Sequence, residues 1–238
     1  MEIKAVLFDM DGTLVPMDQE VFTKAYFKEL AKVLCPLGIE PQKLIDTVWA
    51  GTKAMVMNDG QKRNINAFWD CFSEKTGLNT DRFQVASDNF YIKEFHNARY
   101  ATGENPLAVE AVREAHKNNR QVVLATNPIF PMEGQKTRMS WVGLKAEDFN
   151  LVTSYETDSY CKPNPQYFTS ICERIGIAPQ NCLMIGNDET EDMYAGTQAG
   201  LNTYLVTDCR IASEKHPWTG RQGTFAEMLE MLRTLDES

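Results

Sequence analysis

Several classes of protein are excluded by what this sequence of 238 residues lacks. None of its six cysteines (Cys35, Cys71, Cys161, Cys172, Cys182 and Cys209) forms a Cys-x-x-Cys pair. In a chain this long, that argues against a disulfide framework or a zinc site and implies reduced thiols in a cytoplasmic protein. Histidine is scarce, and His96, His116 and His216 lie too far apart to show ligand spacing. They read as surface or packing residues. No apolar run approaches the length of a membrane span. The first one ends at Asp9 after four residues, so no signal peptide is expected. Basic residues are also outnumbered, 24 against 33 acidic, for a net charge of -9. A surface of that sign disfavours nucleic acid and anionic membrane as partners. An anionic small substrate would need a local cation. There is no internal repeat and no low-complexity tract, and nothing in the sequence fixes an oligomeric state.

What is present is an alternation of elements. With 43% hydrophobic residues, the chain suits one large domain, or one domain carrying a smaller one. Four short apolar runs read as buried strands: residues 3–8, 121–126, 181–186 and 203–207, with 149–154 a weaker fifth. Val, Leu and Ile dominate them with little polar alternation, which suits a parallel sheet covered on both faces. Helical periodicity lies between. "PNPQYFTSICERIG" spaces Tyr167, Ile171 and Ile175 on one face and ends at Gly176, a helix stop. The fold class predicted is α/β, a doubly wound parallel sheet. One stretch departs from this. Residues 16–101 show helical periodicity alone, as at Phe22, Tyr26, Leu30 and Val33. The expected organisation is therefore a core of 1–15 and 102–238 carrying an all-helical second domain, 16–101.

The chemistry concentrates after the first strand, in "FDMDGTL". Turns are rich in Asp and Gly. That accounts for Asp11-Gly12 but not for Asp9 at the buried end of an apolar strand. Residues i and i+2 of an extended chain point the same way, so Asp9 and Asp11 are expected to share one space and repel. Open α/β sheets bind ligands beyond the carboxyl ends of their strands, where this pair would lie.

"FDMDGTL" resembles the first motif of the haloacid dehalogenase-like hydrolase superfamily. The resemblance extends in order to Thr126 in "VVLATN", Lys162 in "YCKPNPQYF" and the acidic cluster "IGNDETEDM". The helical insertion stands where that superfamily places a helical cap. Many members begin the fourth motif Gly-Asp, whereas this chain has Gly186-Asn187-Asp188. The resemblance implies a phosphatase that removes phosphate from a small phosphorylated metabolite through an aspartyl-phosphate. Retention of Asp11 argues against dehalogenase and phosphonate chemistry. A phosphomutase is the alternative within the superfamily, and a non-catalytic phosphoryl-binding protein the alternative outside it.

Each residue type suits its implied role. Asp9 is the nucleophile. Asp11 protonates the leaving oxygen and then takes a proton from water. Thr126 donates to phosphoryl oxygens, and Lys162 offsets the charge of Asp9 and of phosphate. Acids after a strand suit a helix N-terminus, which covers Glu189 and Glu191. Asp188, at the end of the strand that carries Leu, Met and Ile, fits a site beside Asp9 instead. Carboxylates about 4 Å apart repel by roughly 4 kcal/mol at an effective dielectric near 20, so a cation is expected. An oxygen-only set favours Mg²⁺, with Asp9, Asp11, Asp188, Asn187 and Asp192 as candidate ligands and Asp188 the principal one. Thr13, Asn127, Lys53 and Arg63 are the candidate substrate-binding residues, the last two in the polar stretch "GTKAMVMNDGQKRN" between helices. Trp69 and Phe72 read as core of the insertion rather than as a ligand box.

Overall fold

The computed structural model describes residues 2–235. Six parallel strands form one sheet: β1 (Ala5–Phe8), β2 (Gln121–Leu124), β3 (Leu151–Val152), β4 (Cys182–Gly186), β5 (Asn202–Val206) and β6 (Gln222–Gly223). Their order is β3-β2-β1-β4-β5-β6. The chain thus builds outward from β1 in one direction, then returns to place β4 on the other side of β1. Connections leave the sheet in opposite directions at the β1/β4 boundary, which opens a crevice at the carboxyl ends of those two strands. Register aligns Phe8 with Leu124 on one side and Ile185 on the other, so Asp9, Thr126 and Asn187 emerge near one level.

Period-two alternation divides β1 between two cores. Ala5 and Leu7 pack with Val123, Met184, Tyr167 and Ile171. Val6 and Phe8 join a larger cluster on the opposite face. Helix α7 (Pro165–Ile175) starts with Pro165 behind an Asn164 cap and stops at Gly176, φ 68°, as the sequence predicts. The opposite face is covered by α5 (Ala108–Ala115) and α9 (Phe225–Arg233), through Ala108, Ala111, Met228 and Leu229. Between α7 and α9, the π-helical turn Glu189–Tyr194 leads into the short α8 (Ala195–Gln198).

Between β1 and α5 the described residues form no strand. Helices α1 (Gln19–Leu34), α2 (Pro41–Val56), α3 (Asn64–Thr76) and α4 (Asp81–Ile92) fill the span, followed by a 3-10 segment, Glu94–Ala101. The two connecting chains meet in an antiparallel bridge between Met17 and Thr102. The hydrophobic cluster on the β1–Phe8 face continues into these helices through Phe22, Tyr26, Phe90 and Phe95. No helix is long and apolar enough to cross a membrane among the described residues. All six cysteines are free thiols.

Three features differ from the sequence reading. Helix α2 runs to Val56, so Lys53 sits exposed on a helix and only 57–63 is a connecting loop. Strand β6 is two residues long and its Gln222 is exposed, so it carries no apolar signal. Helix α6 (Met132–Trp141) follows β2, and its polar composition masked it.

Candidate active site

The chain ends β1 at Phe8, and Asp9 is fixed there by its own N–H, which donates to the Ile185 carbonyl at 2.9 Å. Lys162, 1% exposed, donates to Asp9 Oδ1 at 2.9 Å and to Asp192 Oδ1 at 2.6 Å. Burial alone would lower the Lys162 pKa. The Asp192 and Asp9 carboxylates outweigh it and hold the ammonium well above the usual lysine range. Lys162 is therefore a fixed, buried cation.

Within the protein, Asp9 and Asp11 pair with different cations, Asp9 with Lys162 and Asp11 with Arg138. Asp11 lies beyond the strand in a tight turn, where Gly12 N–H donates to Val15 O at 2.8 Å. Its carboxylate pairs with Arg138 of α6, a fully buried guanidinium. Arg138 lies 4.2 Å from the Phe130 ring centroid and also donates to Gln135. Each aspartate thus has its own protein cation. Burial still raises the Asp11 pKa against the pull of Arg138, with Asp9 adding repulsion. One oxygen, Asp11 Oδ1, is buried with no hydrogen-bond partner. An orphaned acceptor of this kind is costly and calls for an explanation such as a ligand or ion.

The loop after β4 is arranged around Asp192. Its Oδ2 accepts from the N–H groups of Asn187 and Asp188, both at 3.1 Å, while Oδ1 holds Lys162. Gly186 makes this possible, because a Cβ there would lie 2.2 Å from Asp192 Oδ2. Asp192 was expected among the metal ligands. Both of its oxygens accept from protein donors, and those bonds tie Lys162 to the loop. Asp188 caps the π-helical turn, Oδ1 accepting from Thr190 and Glu191 N–H at 2.7 and 2.8 Å. Burial raises its pKa against those two bonds. Asn187 is spent on both ends: Oδ1 accepts from Thr13 at 3.2 Å and Nδ2 donates to Cys209 O at 2.7 Å. Gly12, at φ +93°, lets the first-motif turn approach that amide; a Cβ would lie 2.3 Å from Asn187 Nδ2.

These side chains open onto a cavity of about 280 Å³, lined at the sheet end by Asp9, Asp11, Thr126, Asn127, Asp188 and Glu191. Of the four expected substrate-binding residues, only Asn127 lines it. Thr13 is buried behind Asn187. Arg63 is exposed before α3 and donates to Thr157 O at 2.5 Å, and Lys53 faces solvent. Asn127 also donates to Glu191 at 3.0 Å. The Glu191 carboxyl is pushed up to about 8 by burial, opposed by Lys162 and reinforced by Asp188, Asp192 and Asp9. Arg138 and Glu191 were missed as site residues. Arg138 gave no motif signal; Glu191 lies within the acidic cluster but reads there as helix-terminal charge. No histidine lines the cavity, and among the described residues no three His, Cys, Asp or Glu side chains form a ready-made metal cage.

The family model described as haloacid dehalogenase-like hydrolase matches residues 3–200. Over 219 residues the chain is 26% identical to N-acetylmuramic acid 6-phosphate phosphatase of Pseudomonas aeruginosa, covering 91% of this chain and 87% of that one. It is 25% identical over 226 residues to glyceraldehyde 3-phosphate phosphatase of Methanothermobacter thermautotrophicus, covering 90% and 89%. The crystal structure of a HAD phosphatase from Thermococcus onnurineus shares the fold, with a TM-score of 0.61 at 18% identity over 97% and 98% of the two chains.

Proposed function

Because this chain belongs to the haloacid dehalogenase-like hydrolases, we propose that it is a phosphatase acting on a small phosphorylated metabolite. The observation that carries the reading is Asp9 at the strand end, paired to the buried Lys162 and facing the cavity. The relatives named above act as phosphatases by their names, which supports the same class. In this reading residues 16–101 are a cap that closes the site.

The steps follow from the side chains. An Asp9 oxygen attacks phosphorus as the bond to the leaving oxygen breaks, and Asp11 delivers a proton to that oxygen. Water then attacks the aspartyl-phosphate, Asp11 takes its proton, and phosphate departs. Lys162 orients Asp9 and offsets its charge. Thr126 and Asn127 donate to the phosphoryl oxygens. Arg138 acts as a positioning residue for Asp11 by holding Oδ2, while Oδ1 has no protein partner.

The donor set fits Mg²⁺, which takes one or two carboxylates and keeps several waters rather than needing an all-protein cage. Asp9 and Asp188 each keep one oxygen that the bonds above do not use, and the orphaned Asp11 Oδ1 adds negative potential. Bound there, Mg²⁺ would offset the charge of Asp9 and of the incoming phosphate.

A screen of phosphorylated metabolites with Mg²⁺ tests this function: phosphate should be released. Conversion to a positional isomer without phosphate release would establish the mutase alternative, and a stable aspartyl-phosphate without turnover the binding-protein alternative. Activity should vanish with excess chelator and return with Mg²⁺, Ca²⁺ substituting poorly. Asp188→Ala should raise the Mg²⁺ needed for half-maximal activity far more than Asn187→Ala, since the Asn187 amide is already bonded at both ends. A metal titration that ranks them the other way refutes the assignment. Arg138→Lys removes the planar donor pair, and a misplaced Asp11 should lower kcat by about 10²-fold. KM should change little. An unchanged kcat would remove Arg138 from the mechanism.

A further inference from the structure

The cavity continues from the carboxylates into the helices of the insertion, and its character changes abruptly. Tyr26, Phe27, Trp49, Phe68, Trp69 and Phe72 wall the far part. The polar side chains along it, Gln19, Thr23, Thr52 and Ser87, are all uncharged. Several polar heads are satisfied within the protein. The Tyr26 and Tyr91 hydroxyls bond each other at 2.9 Å, Thr52 donates to Val48 O at 2.9 Å, and Tyr155 pairs with Trp69. What faces the hollow is mainly ring and aliphatic surface.

Charge is distributed as unevenly. Five acidic residues line the cavity, and among the described lining residues there is no Lys, Arg or His. The nearby cations Lys162 and Arg138 are buried behind the lining and committed to Asp9, Asp192 and Asp11. The phosphate to be cleaved is compensated at the sheet end. A second anion farther along would enter an apolar hollow with no counter-charge and with carboxylates nearby, which is strongly unfavourable.

Resting on the phosphatase reading above, we propose that the alcohol esterified to the phosphate is uncharged and largely apolar, an aryl or alkyl group seated among Tyr26, Trp49, Trp69 and Phe72. Substrates with a second anionic group, including pyrophosphate and phosphorylated carboxylic acids, are excluded. The size agrees: a cavity of about 150 Å³ accommodates benzene, so about 280 Å³ holds a single ring together with the phosphate. Each added methylene that reaches the hollow raises kcat/KM by about fourfold, the factor equivalent to burying one such group.

The test compares kcat/KM of the purified chain with Mg²⁺ for 4-carbamoylphenyl phosphate and 4-carboxyphenyl phosphate, which match in shape and differ in charge. The carboxylate should be at least about tenfold poorer, and Trp49→Lys, at a wall position 52% exposed, should narrow that gap. Hexyl phosphate should surpass ethyl phosphate. Equal or better turnover of the carboxylate, or no gain from ethyl to hexyl, overturns the proposal. If no compound releases phosphate, the phosphatase reading fails instead. The non-hydrolysable benzylphosphonate and its 4-carboxy derivative then decide the hollow, by quenching of tryptophan fluorescence. Tighter binding of the uncharged compound supports it, and equal binding overturns it.

Discussion

Asp9→Asn should abolish phosphate release while leaving the protein folded. The substitution keeps the shape of the side chain and its oxygen acceptor for Lys162 but removes the nucleophilic carboxylate. Loss of a covalent nucleophile typically costs more than about 10³-fold in kcat. The fold has little reason to suffer. Lys162 retains Asp192 at 2.6 Å, so the buried ammonium still has a full counter-charge. Asp11 retains Arg138 and loses a repelling neighbour. The Asp9 N–H bond to Ile185 is a backbone contact and survives. Kinetics and a thermal melt on the same preparation check both halves. A folded variant with wild-type kcat would show that Asp9 does not attack phosphorus.

The sequence made the sheet and the first motif legible for one reason: both rest on local pattern. Buried parallel strands are short apolar runs, and β1, β2, β4 and β5 each differ from the expected span by two residues or fewer at either end. Gly186-Asn187-Asp188 following such a run marks the crevice. What could not be read depends on distant partners. The Asp11–Arg138 pair could not be read because Arg138 is 127 residues from Asp11, on a helix whose polar composition carries no periodic signal. The bonds of Asp192 to Lys162 and to two backbone N–H groups are likewise visible only in three dimensions. Trp69 and Phe72 were read as core. They are buried, yet they also wall the cavity, a distinction that depends on which face of α3 meets empty space. Lys53 was assigned to a loop because the polar residues around it conceal the last turn of α2.

Lys162→Ala should be the most damaging change in the site, because it removes activity and stability together. The ammonium is 1% exposed and lies between two carboxylates that are themselves 7% and 1% exposed. Without it, Asp9 and Asp192 face each other across a buried gap with no cation. Removing one partner of a buried ion pair typically costs about 3–5 kcal/mol, much of it the penalty of the charge left behind. A fraction of a marginal fold's stability is thereby lost, measurable as a lower urea midpoint. Asp192 also orders the Asn187 and Asp188 N–H groups, so its rearrangement displaces the principal proposed metal ligand as well. Adding Asp192→Asn to Lys162→Ala should recover part of the stability, since one uncompensated charge is gone, without recovering turnover. That divergence separates the two roles of Lys162. An urea midpoint for Lys162→Ala equal to wild type would mean that the buried ion pair contributes nothing to the fold. Recovery of turnover in the double variant would mean that Lys162 serves stability alone.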